Sequence, residues 1–161
     1  FLVIFSIFFL TNIVSADEKI AFIDLNYLYS NSKIGKKINL EINDKQKKIN
    51  KEFEEYQKKL DDERNDLLKQ KNVLAEEEFN KKITVLENNL KKYNDIITKK
   101  NKELIDFKNK SKNEFASNLK STLEKYAKEN SISMILRKEN ILIGKNNLDI
   151  TKEILDLFNK S

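Results

Sequence analysis

The side chains in this chain that could do chemistry are almost all lysines and carboxylates. The 161 residues contain no histidine and no cysteine. This excludes the usual metal sites, Ser-His and Cys-His nucleophiles and the common proton shuttle at neutral pH. Only two glycines occur, Gly35 and Gly144, so a glycine-rich loop that would hold a nucleotide phosphate is excluded as well. The sequence predicts no catalytic residue, no metal and no cofactor, and therefore no enzyme.

Two runs of carboxylates are the remaining candidates for acid–base or cation-binding chemistry. They are Asp61-Asp62-Glu63 and Glu76-Glu77-Glu78. Such chemistry needs groups that are desolvated or oriented by their surroundings, and an exposed helix supplies neither. We interpret both runs as solvated helix faces.

The basic residues are nearly all lysine, since only Arg64 and Arg137 are arginine among 31 Lys plus Arg, and the net charge is +5. Lysine is a hydrated point charge that attracts anions diffusely rather than reading phosphates or bases. An AT-rich coding sequence would give the same composition. The signs are segregated: segment 60–80 holds seven acids against three bases, and segment 81–112 holds ten lysines against four acids.

These charges belong to a long helical region. From residue 36 to 143 there is no glycine or proline, and apolar residues recur every three or four positions, which is typical of helices with a narrow coiled-coil seam. The outgoing stripe contains Ile38, Ile42, Ile49, Phe53, Tyr56, Leu60, Leu67 and Leu74. The returning stripe contains Phe79, Ile83, Leu86, Leu90, Tyr93, Ile97, Leu104 and Phe107.

A helix start at Glu76-Glu77-Glu78, where the helix dipole favours carboxylates, predicts a turn between Lys69 and Glu76. One uninterrupted rod is the alternative. Short apolar runs at 19–25, 132–136 and 141–143 predict three strands. Because strands at both ends of the chain can pair only if the helices fold back, the hairpin is favoured.

The last helix is predicted to begin at a cap formed by Asp149 and to cover the sheet with one apolar side. The predicted fold is therefore mainly α with a small β body, from which a long antiparallel helical hairpin projects as a coiled-coil arm. The β-rich oligomerisation body comprises 17–35 and 130–161, and the arm 36–129. Because a core this small needs partner chains for stability, we expect a homo-oligomer.

Residues 1–16 are uncharged and mostly Phe, Ile, Leu and Val, and they end in Val14-Ser15-Ala16. This pattern is typical of a signal peptide that is cleaved after Ala16, and it predicts export to the periplasm. An uncleaved membrane anchor is the alternative, although the run is shorter than the roughly 20 apolar residues that span a bilayer.

Some apolar residues lie beside the two seams. They either widen the stripes or remain in water, where they could offer weak contacts to an unfolded apolar client. These residues are Leu68, Val73, Val85, Ile96 and Ile105.

The runs KIAFIDLNYLYSNSKIGKK and ISMILRKENILIGKNNLDITKEILDLFNK, on either side of a long charged hairpin, resemble the Skp/OmpH family of periplasmic chaperones. The resemblance implies a homotrimer whose arms surround a cavity, in which unfolded outer-membrane β-barrel proteins are held without ATP. It implies an oligomer interface at Ile20, Phe22, Ile132, Met134, Leu136 and Ile143. Lysines of the return arm would attract acidic clients, namely Lys81, Lys82, Lys91, Lys92, Lys99 and Lys100.

The resemblance also implies a weak contact with anionic lipid or lipopolysaccharide, but arm tips in the family are basic whereas this tip is acidic. Two other classes of function are open. One is a secreted coiled-coil protein that acts as a structural element or tether of the cell envelope. The other is a nucleic-acid-binding coiled coil, which export, scarce arginine and sparse aromatic residues argue against; we expect no nucleic-acid partner.

Overall fold

A computed structural model of the chain describes residues 18–160. It is mainly helical, with one small parallel sheet. The elements in order are β1 (Lys19–Ile23), α1 (Leu25–Asn31), α2 (Lys33–Gln70), α3 (Glu76–Glu129), β2 (Ile132–Arg137) and α4 (Thr151–Phe158). Two short 3-10 turns, Lys138–Asn140 and Asn146–Leu148, lie between β2 and α4. The predicted signal peptide, 1–16, lies outside the described residues.

The two long helices run antiparallel and contact each other along their length. α2 has 38 residues and α3 has 54, so their lengths are about 57 and 81 Å at 1.5 Å per residue. The chain turns between Gln70 and Glu76, inside the interval predicted for the break. Glu76, Glu77 and Glu78 lie in the first turn of α3, where the helix dipole favours them. The uninterrupted rod is therefore excluded.

The sheet pairs β1 with β2 in parallel, with Ile20 opposite Met134 and Phe22 opposite Leu136. Parallel strands need a long crossover, and here the whole α2–α3 hairpin supplies it. The third strand predicted at 141–143 is wrong: within residues 18–160 the sheet has two strands. The far edge of β1 is already occupied, because the Ile150 N–H donates to the Phe22 carbonyl at 3.0 Å.

One hydrophobic core joins the sheet to α1, α4 and the near ends of both long helices. Its buried residues are Ala21, Ile23, Leu28, Ile38, Phe115, Leu119, Ile150, Ile154 and Phe158. The Phe115 ring makes edge-on contacts with Tyr29 at 5.0 Å and with Phe158 at 5.4 Å between centroids. Ile38, Phe115 and Leu119 lie within the 36–129 range predicted for the arm, because the amphipathic stripes continue beyond the hairpin contact and down onto the sheet.

Close backbone packing fixes the entry into α2. Ser32 caps this helix, since its Oγ accepts from the Gly35 N–H at 3.1 Å. A Cβ on Gly35 would lie 1.7 Å from the Tyr29 carbonyl oxygen, so a side chain has no room there. α1 and α2 can therefore approach each other closely enough to share the core.

Candidate functional site

The two helices of the arm are held together by a narrow apolar seam. Ile49, Leu60 and Leu104 are buried in it. An aromatic cluster lies between them: the Tyr93 ring is 6.3 Å from Phe53 and 6.0 Å from Tyr56, between centroids. The periodic residues predicted from the sequence thus supply the contact between the helices, and the outer faces of the arm remain free for other partners.

Polar bonds across the hairpin add to the seam. Lys100 forms an ion pair with Glu52 at 3.0 Å, and this hydrogen bond and its charge raise the pKa of Lys100. Asn89 donates to Glu63 at 2.9 Å, and Lys82 donates to the Gln70 side-chain oxygen. Two of the six lysines predicted to attract clients, Lys82 and Lys100, therefore bond to the opposite helix.

The other four predicted lysines are exposed on α3. Lys81 forms an ion pair with Glu77 at 2.7 Å within its own helix. Lys91, Lys92 and Lys99 point their charges into solvent along the return helix. This arrangement leaves a basic surface on the outside of α3.

The apolar residues beside the seams are mostly in water. Leu68, Val85 and Ile105 are exposed, and Val73 at the tip is 81% exposed. Ile96 differs, because it is half-buried against the seam. In this single chain the first four do not widen the seam, so they are available for contacts.

The body has an open apolar face on one side of the sheet. Ile20, Met134 and Leu136 are exposed there, and they are three of the six residues predicted for the oligomer interface. Of the other three, Ile132 is half-buried, Ile143 is 91% exposed and Phe22 is buried. Phe22 is covered in part by Gly144, where a Cβ would meet its ring at 2.9 Å.

A further apolar residue, which the sequence reasoning missed, adjoins this face. Leu142 is 98% exposed beside Ile143. A cavity of about 810 Å³ lies beside this segment and is lined by Ile20, Ile132 and Ile143 among others. The sequence does show an apolar Ile-Leu-Ile run at 141–143, but this run was predicted to be a third strand of the sheet rather than an exposed surface.

A second apolar cavity, also missed, lies between α1, α3 and β2. Its volume is about 640 Å³, and Leu25, Phe115, Leu123 and Ile135 contribute to its wall. Burial at its edge raises the pKa of Tyr29. No sequence motif marks this groove, because its lining comes from three elements that are distant along the chain.

A polar latch at the start of α4 fastens the body, and we define it as Asp24, Lys138, Asp149 and Thr151. Lys138 forms an ion pair with Asp149 at 2.8 Å. The Thr151 hydroxyl accepts from the Asp24 N–H at 2.9 Å. Asp149 was predicted to be the cap residue of α4, and this is wrong by one position, since Ile150 occupies the cap. Asp149 still accepts from the Thr151 N–H at 3.0 Å.

Charge and burial oppose each other at Asp149. Burial acts to raise the pKa of Asp149, but hydrogen bonds from Lys138 and Thr151 outweigh it, and the pKa is lowered. The same bond raises the pKa of Lys138. The latch is therefore built from charged forms that stabilise each other.

Neither the arm nor the body shows a metal site or a membrane span in the part of the chain that is described. No group of three or more carboxylates is arranged to hold a metal ion between residues 18 and 160. Across the same residues, no helix has the length and apolar character needed to cross a bilayer.

Comparison with known proteins identifies the family. The family model described as outer membrane protein (OmpH-like) matches residues 19–158. No curated protein matches the chain. Among solved structures, a candidate outer membrane chaperone (OmpH-like) from Caulobacter crescentus CB15 has the same fold, with a TM-score of 0.83 and 15% identity over 89% of this chain and 85% of that one. Because the family model covers nearly the whole chain, this protein belongs to the OmpH-like family.

Proposed function

We propose that this protein is an ATP-independent periplasmic holdase, which encloses unfolded outer-membrane β-barrel proteins between helical arms and keeps them from aggregating. The observation that carries the proposal is the exposure of Leu68, Val73, Val85 and Ile105 on an otherwise charged arm. Large apolar side chains in water on a long surface offer many weak contacts to an apolar client. The family membership and the chaperone description of the Caulobacter crescentus protein support the same role.

The proposed assembly is a homotrimer joined through the open face of the body. Ile20, Met134 and Leu136 lie on one face of the sheet, and Leu142 and Ile143 are nearly fully exposed beside it. Apolar surface of this extent on a small body is typical of an interface between chains. The proposal of three subunits rests on the resemblance to the Skp/OmpH family.

The proposed mechanism needs only enclosure of the client, weak apolar contacts and attraction between charges. A client in the cavity is kept apart from other unfolded chains, and aggregation is suppressed because its apolar segments do not meet those of a second client. Lys91, Lys92 and Lys99 would attract acidic clients over a short range. The same lysines would give a weak contact with anionic lipid or lipopolysaccharide, and the acidic tip disfavours a contact through the tip itself.

The test is light scattering from an unfolded β-barrel client diluted out of urea, with and without protein lacking residues 1–16 and of measured oligomeric mass. We expect suppression at about one trimer per client. The variant Leu68→Ser/Val85→Ser/Ile105→Ser should bind the client about tenfold more weakly. Each of the three side chains would be partly buried against the client and would then contribute about 0.5 kcal/mol to binding.

The matched control is Asn65→Ser/Asn88→Ser/Asn101→Ser, which changes three exposed polar residues on the same helices. It should suppress scattering as the unmodified protein does. If a well-folded oligomer fails to suppress scattering at any ratio, the holdase proposal is overturned, and the structural or tethering role in the cell envelope takes its place.

A further inference from the structure

The distal part of the arm carries opposite charge on its two helices. Residues 52–70 of α2 contain seven acidic and four basic residues, and residues 81–102 of α3 contain seven lysines and two acidic residues. We name these the acidic flank and the basic flank. They lie side by side, because Glu52 pairs with Lys100 and Glu63 accepts from Asn89. Each arm therefore has one negative and one positive side.

Pairing within the hairpin uses only part of this charge, because three of the seven acidic residues on the acidic flank form ion pairs in it. Across the described residues, Glu52–Lys100 is the one ion pair that joins α2 to α3. Glu54 and Asp62 on the acidic flank are exposed, as are Lys92 and Lys99 on the basic flank. Most of the separated charge thus faces outward, where it can act on another molecule.

A closed ring of identical subunits brings different faces of the subunit into contact, so that one side of each copy meets the other side of the next. For a hairpin arm these two sides are its two helices. We propose that the acidic flank of one arm docks against the basic flank of the neighbouring arm, a second copy of this chain, and closes the cage when it is empty. This inference rests on the trimer of the proposed function.

The range of the force explains how such a cage would open. At physiological salt, attraction between exposed charges fades beyond about 8 Å, and packed helices lie 8–10 Å apart. The flanks attract only when neighbouring arms are nearly in contact. Because each exposed pair is weak, a client that enters between the arms separates them without an energy source.

The absence of cysteine from the chain permits one spin label per arm, attached at the tip through Asn72→Cys. Pulsed electron spin resonance then measures the distance between tips in the client-free trimer. We expect this distance to increase by on the order of 10 Å, the diameter of one helix, when salt is raised from about 0.02 M to 0.5 M, because screening weakens the attraction between the flanks.

Charge reversal makes the test specific. Glu54→Lys/Asp62→Lys gives both flanks a net positive charge, and Lys91→Glu/Lys92→Glu/Lys99→Glu gives both flanks a net negative charge. Each variant should hold the tips apart at low salt. Combining all five reversals makes the acidic flank net positive and the basic flank net negative, so the sign of charge is exchanged between the flanks and the short distance should return. If the combined variant stays open, or if the distance in the unmodified trimer does not respond to salt, the inference is overturned.

The oligomeric mass separates this inference from the proposed function. In one outcome, the trimer suppresses client aggregation while its tip distances do not change with salt or charge reversal. This result overturns the docking of the flanks and leaves the proposed function intact. A chain that remains monomeric at micromolar concentration overturns both, since a single arm has no neighbour.

Discussion

At the scale of single residues, the latch shows how one carboxylate organises the end of the body. Asp149 accepts from the Thr151 N–H and pairs with Lys138 at 2.8 Å. Thr151 in turn accepts from the Asp24 N–H. Asp24 follows β1, Lys138 follows β2 and Thr151 begins α4, so the latch ties the ends of both strands to the start of α4.

The latch predicts a pH dependence with a definite sign. Because the pKa of Asp149 is lowered in the folded protein, its stabilisation is present above the ordinary value of 3.8 and is lost as the pH falls through the lowered value. Asp149→Asn should reduce the free energy of unfolding by about 1 kcal/mol at pH 7, and the difference from the unmodified protein should disappear in stronger acid. Urea unfolding across this range measures it.

Asp156→Asn is the control, since Asp156 is an exposed carboxylate on α4, the helix that follows Asp149. Its effect on the free energy of unfolding should stay within about 0.5 kcal/mol. A loss in Asp149→Asn that persists unchanged below the lowered pKa would contradict the assigned role of the charge.

At the scale of elements, the arm depends on a narrow apolar seam with few buried residues. Ile49, Leu60 and Leu104 are buried, whereas most of their neighbours on both helices are exposed. The aromatic contacts of Tyr93 with Phe53 and Tyr56 fill the middle. Helices of this kind are held by packing along the stripe rather than by their intrinsic propensity.

Two leucines on α3 test this dependence. Leu104 is 5% exposed and Leu90 is 42% exposed, although both follow the same heptad pattern. Leu104→Ala should lower the free energy of local opening of the arm by about 2–4 kcal/mol, since it leaves a cavity. Leu90→Ala should cost less than about 1 kcal/mol, because much of its surface already meets water. Hydrogen exchange of the α3 amides measures both, and equal effects would contradict the described seam.

At the scale of the whole molecule, the single chain leaves large apolar side chains in water on one side of the body. Leu142 and Ile143 are 98% and 91% exposed, and Ile143 lines a cavity together with residues of both strands. Within one chain nothing covers these side chains in the described region. A partner chain on this face would cover them.

Leu142→Ser/Ile143→Ser should therefore shift the oligomer toward monomer, with a dissociation constant raised at least about a hundredfold, because two large apolar side chains lose roughly 3 kcal/mol of burial. Analytical ultracentrifugation measures the shift. Val73→Ser, which removes an apolar side chain that is 81% exposed at the arm tip, should leave the mass unchanged. If the double variant stays a trimer, the interface lies elsewhere.

Local pattern in the sequence predicted the long helices, their seams, the turn near Glu76 and both strands of the sheet, together with a third strand that does not form within residues 18–160. These features depend on periodicity and on turn chemistry, which are written in short stretches of chain. The segregation of charge between residues 60–80 and 81–112 was visible as well. The family was also recognisable, because the terminal runs around 19–37 and 132–160 carry the resemblance.

Tertiary contact alone decided the rest. The run at 141–143 has the composition of a strand, but the Ile150 N–H already occupies the free edge of β1, so the segment has no strand to pair with in this chain. Leu90 and Leu104 share one sequence pattern and differ in burial, because burial depends on what the opposite helix places there. Likewise, Asp149 was recognised as polar and near a helix start, but its pairing with Lys138 arises only when β2 and α4 meet. Sequence periodicity determines which face of an element is apolar, and only the packed structure determines what covers that face.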